Sequence, residues 1–183
     1  HWNQDKPGGR QVCVHAFIGK LADGSIATYQ TLPWNMRGWH CGSGSKGSGN
    51  DTHISFEICE DGLTDATYFN KVYREAVELC VHLCKQYGLT EKDVICHSEG
   101  YKLGIASNHG DVMHWFPKHG KSMDTFRADV KAGLASTAPV EATTPKKYYR
   151  IQLGAFSVKA NADAMLSKVK AAGFTDAFIK YSE

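Results

Sequence analysis

The 183 residues, 42% hydrophobic and 22% charged, have the composition of one medium globular domain, or of one domain with a small appendage, able to bury a core without staples. Six cysteines at this length do not make a disulfide scaffold, and no apolar run approaches a membrane span. The formal charge of +2 hides a split, with 14 Lys/Arg against 16 Asp/Glu in residues 1–145 and 7 against 3 in residues 146–183.

Residues 1–11 are polar and carry Pro7, Gly8 and Gly9, the composition of a loop. Val12 to Gly19 (VCVHAFIG) reads as a strand, Ala22-Asp23-Gly24 as a turn, and Ser25 to Thr31 (SIATYQT) as a second strand, so the pair forms a hairpin. After LPWNMRGWHCG comes SGSKGSGN, Ser43 to Asn50, a Gly/Ser tract of the kind that makes a mobile loop and borders a groove. His53 to Cys59 (HISFEIC) alternates with the period of a strand. Phe69, Val72, Tyr73, Ala76, Val77, Cys80, Val81, Cys84 and Tyr87 then repeat at three and four, one face of a long helix with Gly88 as its C-cap. Val94 to Cys96 reads as a short buried strand, and strand–helix–strand order argues an α/β domain. A last helix starts at Ser122 as N-cap and buries Met123, Phe126, Val130 and Leu134.

Ala135 to Lys147 (ASTAPVEATTPKK) has two prolines and no periodicity, which makes it a linker and divides a domain at 1–134 from a unit at 148–183. In that unit Tyr148 to Phe156 reads as a strand, Asn161 to Ala172 as a helix stopped by Gly173, and Ala177 to Tyr181 as a strand. The basic excess there suits a wall polymer, nucleic acid or lipid headgroups, or makes a solvated face. Nucleic acid is set aside, because aromatic residues are not interleaved with Lys/Arg at a stacking spacing. Cys80 and Cys84 share a helical face, Cys59 and Cys96 end apolar runs and Cys13 lies within one; they read as buried free thiols, the state of a protein made in a reducing cytoplasm. No signal peptide is visible, and a start at His1 reads as a processed product or a fragment.

The chemistry concentrates in VICHSEGYKLGIASNHGDVMHWFP, Val94 to Pro117. His97 follows the expected strand, and the loop beyond it carries Glu99, His109, Asp111 and His114. Imidazole nitrogen and carboxylate oxygen are natural Zn²⁺ ligands, but no tight motif such as HExxH is present. On spacing alone the stretch is a metal site or a polar surface loop with scattered histidines.

A histidine ending a strand, a loop, a basic residue two before an aspartate, and an aromatic-proline close resemble the zinc-site signature of the type 2 N-acetylmuramoyl-L-alanine amidases. These share their fold with peptidoglycan recognition proteins. The resemblance runs from about Val12 to Leu134. It implies a mixed central sheet flanked by helices, with Zn²⁺ held by His97 and Asp111. His109 stands where the family often has lysine, and an imidazolium there could donate to a tetrahedral oxyanion. Glu57 in HISFEIC falls on the family motif I-G-I/V-E, which implies the proton shuttle for the attacking water. From the residues alone Glu57 is a surface strand glutamate or a cleft residue sharing a face with Ser55 and Cys59. Trp39 and His40 resemble the turn A/S-W-H-A/C-G that borders the substrate cleft, with His40 touching substrate or holding the turn. His15 falls on the strand pattern S/T-x-H-Y/F and reads as a core residue or a support for the site. His114 reads as packed and His119 as surface.

Two departures stand out. The loop is longer than is common, with His109 in place of lysine, and no V-x-H-x-S/T motif precedes His15. The family's first ligand and a strand of its sheet are therefore expected upstream of residue 1. Without them the expectation is weak zinc binding, poor solubility and little activity, with His1 or His15 the candidates if the site completes itself.

YYRIQLGAFSVKANADAMLSKVKAAGF, Tyr148 to Phe174, resembles the opening half of a SPOR domain, a βαβ-like unit of a family that binds glycan strands stripped of stem peptides. The combination implies a peptidoglycan hydrolase of endolysin or autolysin type, cutting between N-acetylmuramic acid and L-alanine. It would be made in the cytoplasm and act at the cell wall, secreted or released by a holin. Its partners would be muropeptides and glycan strands. The rival expectation is a non-catalytic peptidoglycan-binding module that has lost a ligand.

Overall fold

The computed structural model describes residues 9, 11–136, 156–175 and 177–179. The chain divides into two compact units, residues 1–32 with 37–140, and residues 33–36 with 141–183.

The first unit is built on a three-stranded mixed sheet in the order β2-β1-β3. β1 (Ala16–Lys20) and β2 (Ile26–Gln30) form the expected hairpin, antiparallel from Ala16↔Gln30 to Lys20↔Ile26. Asp23 secures its turn by accepting from the Ser25 backbone N–H at 3.0 Å and hydroxyl at 2.6 Å. Ala16 and Ile18 are fully buried, as the period of two requires for a central strand. β3 (Phe56–Ile58) lies parallel to β1 on the other side, pairing Phe17 with Glu57.

α1 (Ala66–Tyr87) packs on the hairpin and on α3 (Met123–Ala135). The Asp65 carboxylate caps α1 from Thr67 N–H at 2.8 Å and Tyr68 N–H at 3.0 Å, and Gly88 ends it in the left-handed region at φ 66°. The Tyr68 hydroxyl donates to the Cys59 carbonyl at 2.7 Å, which ties the helix to the chain leaving β3. Glu75 accepts from Thr28 N–H and hydroxyl at 3.0 and 2.8 Å, tying it to β2. Phe69 centres an aromatic cluster, edge-on to Trp115 at 5.2 Å and Phe116 at 5.7 Å. Ser122 caps α3, which buries Met123, Phe126 and Val130 but leaves Leu134 half-buried.

Three expectations change. Val94 to Cys96 form no strand; they lead into α2 (His97–Leu103), so His97 begins a helix instead of ending a strand. Their backbone groups are occupied elsewhere, since Cys96 N–H donates to Glu99 and Arg127 donates to the Val94 carbonyl. The Ser43–Asn50 tract is not a free loop but is held against the end of α2 through Lys46 N–H to Gly104 O at 2.8 Å and Gly49 N–H to Ile105 O at 2.7 Å. Only glycine allows that approach at position 44, where a Cβ would stand 2.3 Å from the Gly104 oxygen. Finally, the cysteines described are all free, but Cys13 is exposed and Cys59 half-buried, so burial explains only four of the six.

The second unit contains α4 (Lys159–Ala171), close to the expected helix, followed by Gly173 at φ 102°. Lys159 and Asp163 pair one turn apart at 2.7 Å. Except for Phe156, the expected strand at Tyr148–Phe156 lies outside the described residues, and so does the linker from residue 137 to 147. Of Ala177–Tyr181, residues 177–179 are described and carry no assigned strand.

Candidate metal centre

His97 is the first residue of α2, and its placement is set from the helix behind it. Cys96 and Glu99 make a capping box, with the Glu99 carboxylate accepting from Cys96 N–H at 3.1 Å. The same carboxylate takes a two-pronged grip from Arg127 of α3, with both N–O distances 3.0 Å. Ser107 then bridges the His97 Nε2 (3.4 Å) to the Cys41 carbonyl (3.1 Å), which links the ring to the Trp39–Cys41 turn.

The loop beyond α2 brings His109 and Asp111 back to His97. One candidate ligand atom from each of the three lies within 4.8 Å of the others. The rings of His97 and His109 are 5.2 Å apart, and Ser98 N–H donates to the Asp111 carbonyl at 3.3 Å. Imidazole nitrogens beside a carboxylate oxygen, partly open to solvent, fit Zn²⁺ in donor type and in access. Burial, then the charge of His109, holds His97 below the ordinary histidine range, so its ring is neutral at pH 7 as ligation requires.

Asp111 is approached from both sides. Its Oδ2 lies 2.9 Å from His109 Nδ1 and its Oδ1 3.5 Å from His114 Nδ1, while His114 Nε2 meets Glu60 Oε1. Glu57, at the middle of β3, is pushed up to about 7 by burial and then by the Asp111 charge, with Glu60 adding to it and His109 opposing. A carboxyl inside the field of that cluster and poised near neutrality can both take and return a proton.

Trp39 and His40 sit on a turn pinned by a residue that sequence reasoning missed. The buried Asn50 side chain accepts from His40 N–H at 2.8 Å and Cys41 N–H at 3.1 Å, and donates to Gly42 O at 3.2 Å. An asparagine ending a Gly/Ser tract, eight residues beyond a W-H-C-G turn, is the one available signal. Trp39 is 55% exposed, with the Arg37 guanidinium over its ring at 4.8 Å. His40 is pushed down to about 4 by burial and then by the charges of His15, His97, His53 and Arg37, and its Nε2 is buried without a partner among the described residues. His15 is 1% exposed and accepts from Ser55 N–H at 3.0 Å, a core residue outside the ligand group. His1 lies outside the described residues.

His114 and His119 exchange the roles expected of them. His119 is stacked on Phe69 at 4.0 Å, and its ring nitrogen meets the Leu63 carbonyl at 3.1 Å. His114 is exposed and joins Asp111 to Glu60. The 3-10 turn Phe116–His119 explains this, because residues three apart in such a turn eclipse and His119 follows Phe116 inward.

N-acetylmuramoyl-L-alanine amidase XlyA of Bacillus subtilis (strain 168) is 39% identical over 113 residues, 62% of this chain and 33% of that protein. N-acetylmuramoyl-L-alanine amidase CwlH of the same organism is 37% identical over 71 residues, 39% of this chain and 27% of that protein. The chain thus spans a third or less of the length of these relatives. The crystal structure of Staphylococcus aureus hydrolase AmiA in complex with its ligand superposes with a TM-score of 0.54 at 23% identity, covering 67% of this chain and 58% of that one, a likeness of fold. The SPOR domain family matches residues 145–183. With the N-acetylmuramoyl-L-alanine amidase family matching residues 1–115, the chain belongs to that family.

Proposed function

We propose that this protein hydrolyses the amide between N-acetylmuramic acid and the L-alanine of the stem peptide, using Zn²⁺ held by His97 and Asp111. The observation that carries the reading is that Glu57, a carboxyl poised near neutrality, lies within the electrostatic reach of Asp111 and His109, two members of the group His97, His109 and Asp111. When bound, zinc supplies Lewis acidity that polarises the scissile carbonyl and acidifies the attacking water. Glu57 takes the proton from that water and returns it to the departing amide nitrogen, where the C–N bond breaks. His109 donates a hydrogen bond to the developing oxyanion. Trp39 offers an exposed aromatic face to the substrate, and His40 is held at the same turn. Residues 145–183 direct the enzyme to glycan strands, which places its action at the cell wall.

The test is release of L-alanine-terminated peptides from purified peptidoglycan. Glu57→Gln is expected to keep its zinc and lose roughly a hundredfold or more in turnover, the scale of a positioned acid–base group. Wall binding without release by the unaltered protein would establish a non-catalytic binding module instead.

The closeness of His109 to the two ligands favours a second role for it, as a third ligand. His109→Lys separates the roles, because lysine keeps a donor at the oxyanion. Retained zinc and turnover assign the oxyanion role; lost zinc assigns ligation.

A further inference from the structure

A ligating carboxylate has two oxygens, and its terminal torsion is broad, so nothing in aspartate itself fixes which oxygen faces a metal or at what angle. Asp111 follows Gly110 in a loop and its side chain is 35% exposed, so neither packing nor a regular element fixes it. What does flank it is a chain of polar groups on the side away from His109: Asp111 Oδ1, His114 Nδ1 at 3.5 Å, then His114 Nε2 against Glu60 Oε1. Glu60 follows β3 by two residues, so the far end of this chain is anchored beside the strand that carries Glu57.

We propose that His114 is a positioning residue for Asp111, holding Oδ1 so that the other carboxylate oxygen is presented to the metal, with Glu60 fixing the ring. The inference rests on the reading of Asp111 as a ligand. Each ring nitrogen faces a carboxylate oxygen, Nδ1 that of Asp111 and Nε2 that of Glu60. The arrangement inverts the more usual support, in which a carboxylate orients a ligating histidine; here a histidine backed by a carboxylate orients a ligating aspartate. Trp115 and Phe116, the next two residues, are 2% exposed in the core, which fixes the backbone from which His114 reaches out.

The experiment measures zinc affinity by competition with a chromogenic chelator for the unaltered protein and for His114→Ala, His114→Asn, Glu60→Ala and Asp111→Ala. Thermal melting in chelator confirms that each variant folds. His114→Ala is expected to weaken zinc binding by roughly ten- to a hundredfold, the range for loss of a partner behind a ligand. His114→Asn keeps a donor near the Nδ1 position and should recover most of that loss, which a residue serving only packing would not do. Glu60→Ala should weaken binding in the same direction and by less, and it decides the matter if His114→Ala melts early. If Asp111→Ala loses zinc while His114→Ala and Glu60→Ala stay within about twofold of the parent, the positioning role is wrong and the ligand reading stands. If Asp111→Ala binds zinc as the parent does, the ligand reading itself falls, and this inference with it.

Discussion

At the scale of single residues, the proton chemistry proposed for Glu57 carries a cost to the fold. Its pKa is raised from the ordinary glutamate range to about 7, first by burial and then by Asp111. A raised folded value means that the native state holds the proton more tightly than the unfolded chain does. The stabilising effect of that proton is fully present below the unfolded glutamate pKa and is lost as pH rises through about 7. In chelator, the parent should therefore lose up to about 3 kcal/mol relative to Glu57→Gln between roughly pH 4 and pH 8. Urea denaturation of both proteins across that range reads the difference. Identical pH slopes would show that Glu57 ionises as it would in water, which would remove the electrostatic case for it as the shuttle. Glu99 contributes in the opposite sense. Burial works against its charge, but the hydrogen bonds from Arg127 and Cys96 outweigh that and hold it low, so its stabilisation is present above the ordinary glutamate range and is lost as pH falls.

At the scale of elements, α2 is seven residues long and cannot stand alone, so the position of His97 depends on what grips the helix. Arg127 is that grip, reaching Glu99, Asp124 and the Val94 carbonyl from α3. Arg127→Lys keeps the charge but cannot make the two-pronged contact, so it should cost about 1–3 kcal/mol in urea denaturation and weaken zinc binding with it. Lost stability with unchanged zinc affinity would show that His97 is placed independently of α3. This grip is also where sequence reading stopped short. Regular elements with strong periodicity, the hairpin and α1, were legible because alternation and the three-four repeat report burial directly. Val94 to Cys96 carry the apolar, β-prone look of a strand, yet a capping box and an arginine 28 residues beyond Glu99 claim their backbone. Glu99 three residues after Cys96, with Gly104 ending the helix in the left-handed region, was the local signal for α2. At the site, His97, Asp111, Glu57 and His109 were legible as candidates through the family motif, whereas Asn50, Ser107 and the linkage through His114 were not. Apart from the pair of His114 with Asp111, three positions away, those residues act through contacts spanning 8 to 66 positions, which no local pattern encodes.

At the scale of the whole molecule, two matched families divide the chain, with residues 1–115 belonging to the amidase and residues 145–183 to the SPOR domain. The charge divides with them, since residues 146–183 hold 7 Lys/Arg against 3 Asp/Glu while residues 1–145 are slightly acidic. Catalytic and wall-holding work should therefore separate on truncation. The ligand candidates, Glu57 and the aromatic core around Phe69 all fall before residue 120, so removal of residues 145–183 takes no part of them. The shortened protein should keep the zinc affinity and the turnover on small soluble muropeptides of the full chain. On purified sacculi stripped of stem peptides it should bind more weakly. A basic segment held to a polymer by charge alone would be released as salt rises from about 0.05 to 0.5 M, where the Debye length falls from roughly 14 to 4 Å. Recognition of the glycan by hydrogen bonds and apolar contacts would survive that change. The expectation is retention at high salt, because in α4 Lys159 is paired with Asp163, while Lys168 and Lys170, two residues apart, do not share a helix face. Co-sedimentation with stripped sacculi at the two salt concentrations, for the 183-residue and the shortened protein, gives the answer. Equal sedimentation of the two proteins would move the wall-binding role into residues 1–144, and release of the full chain by salt would make the contact electrostatic.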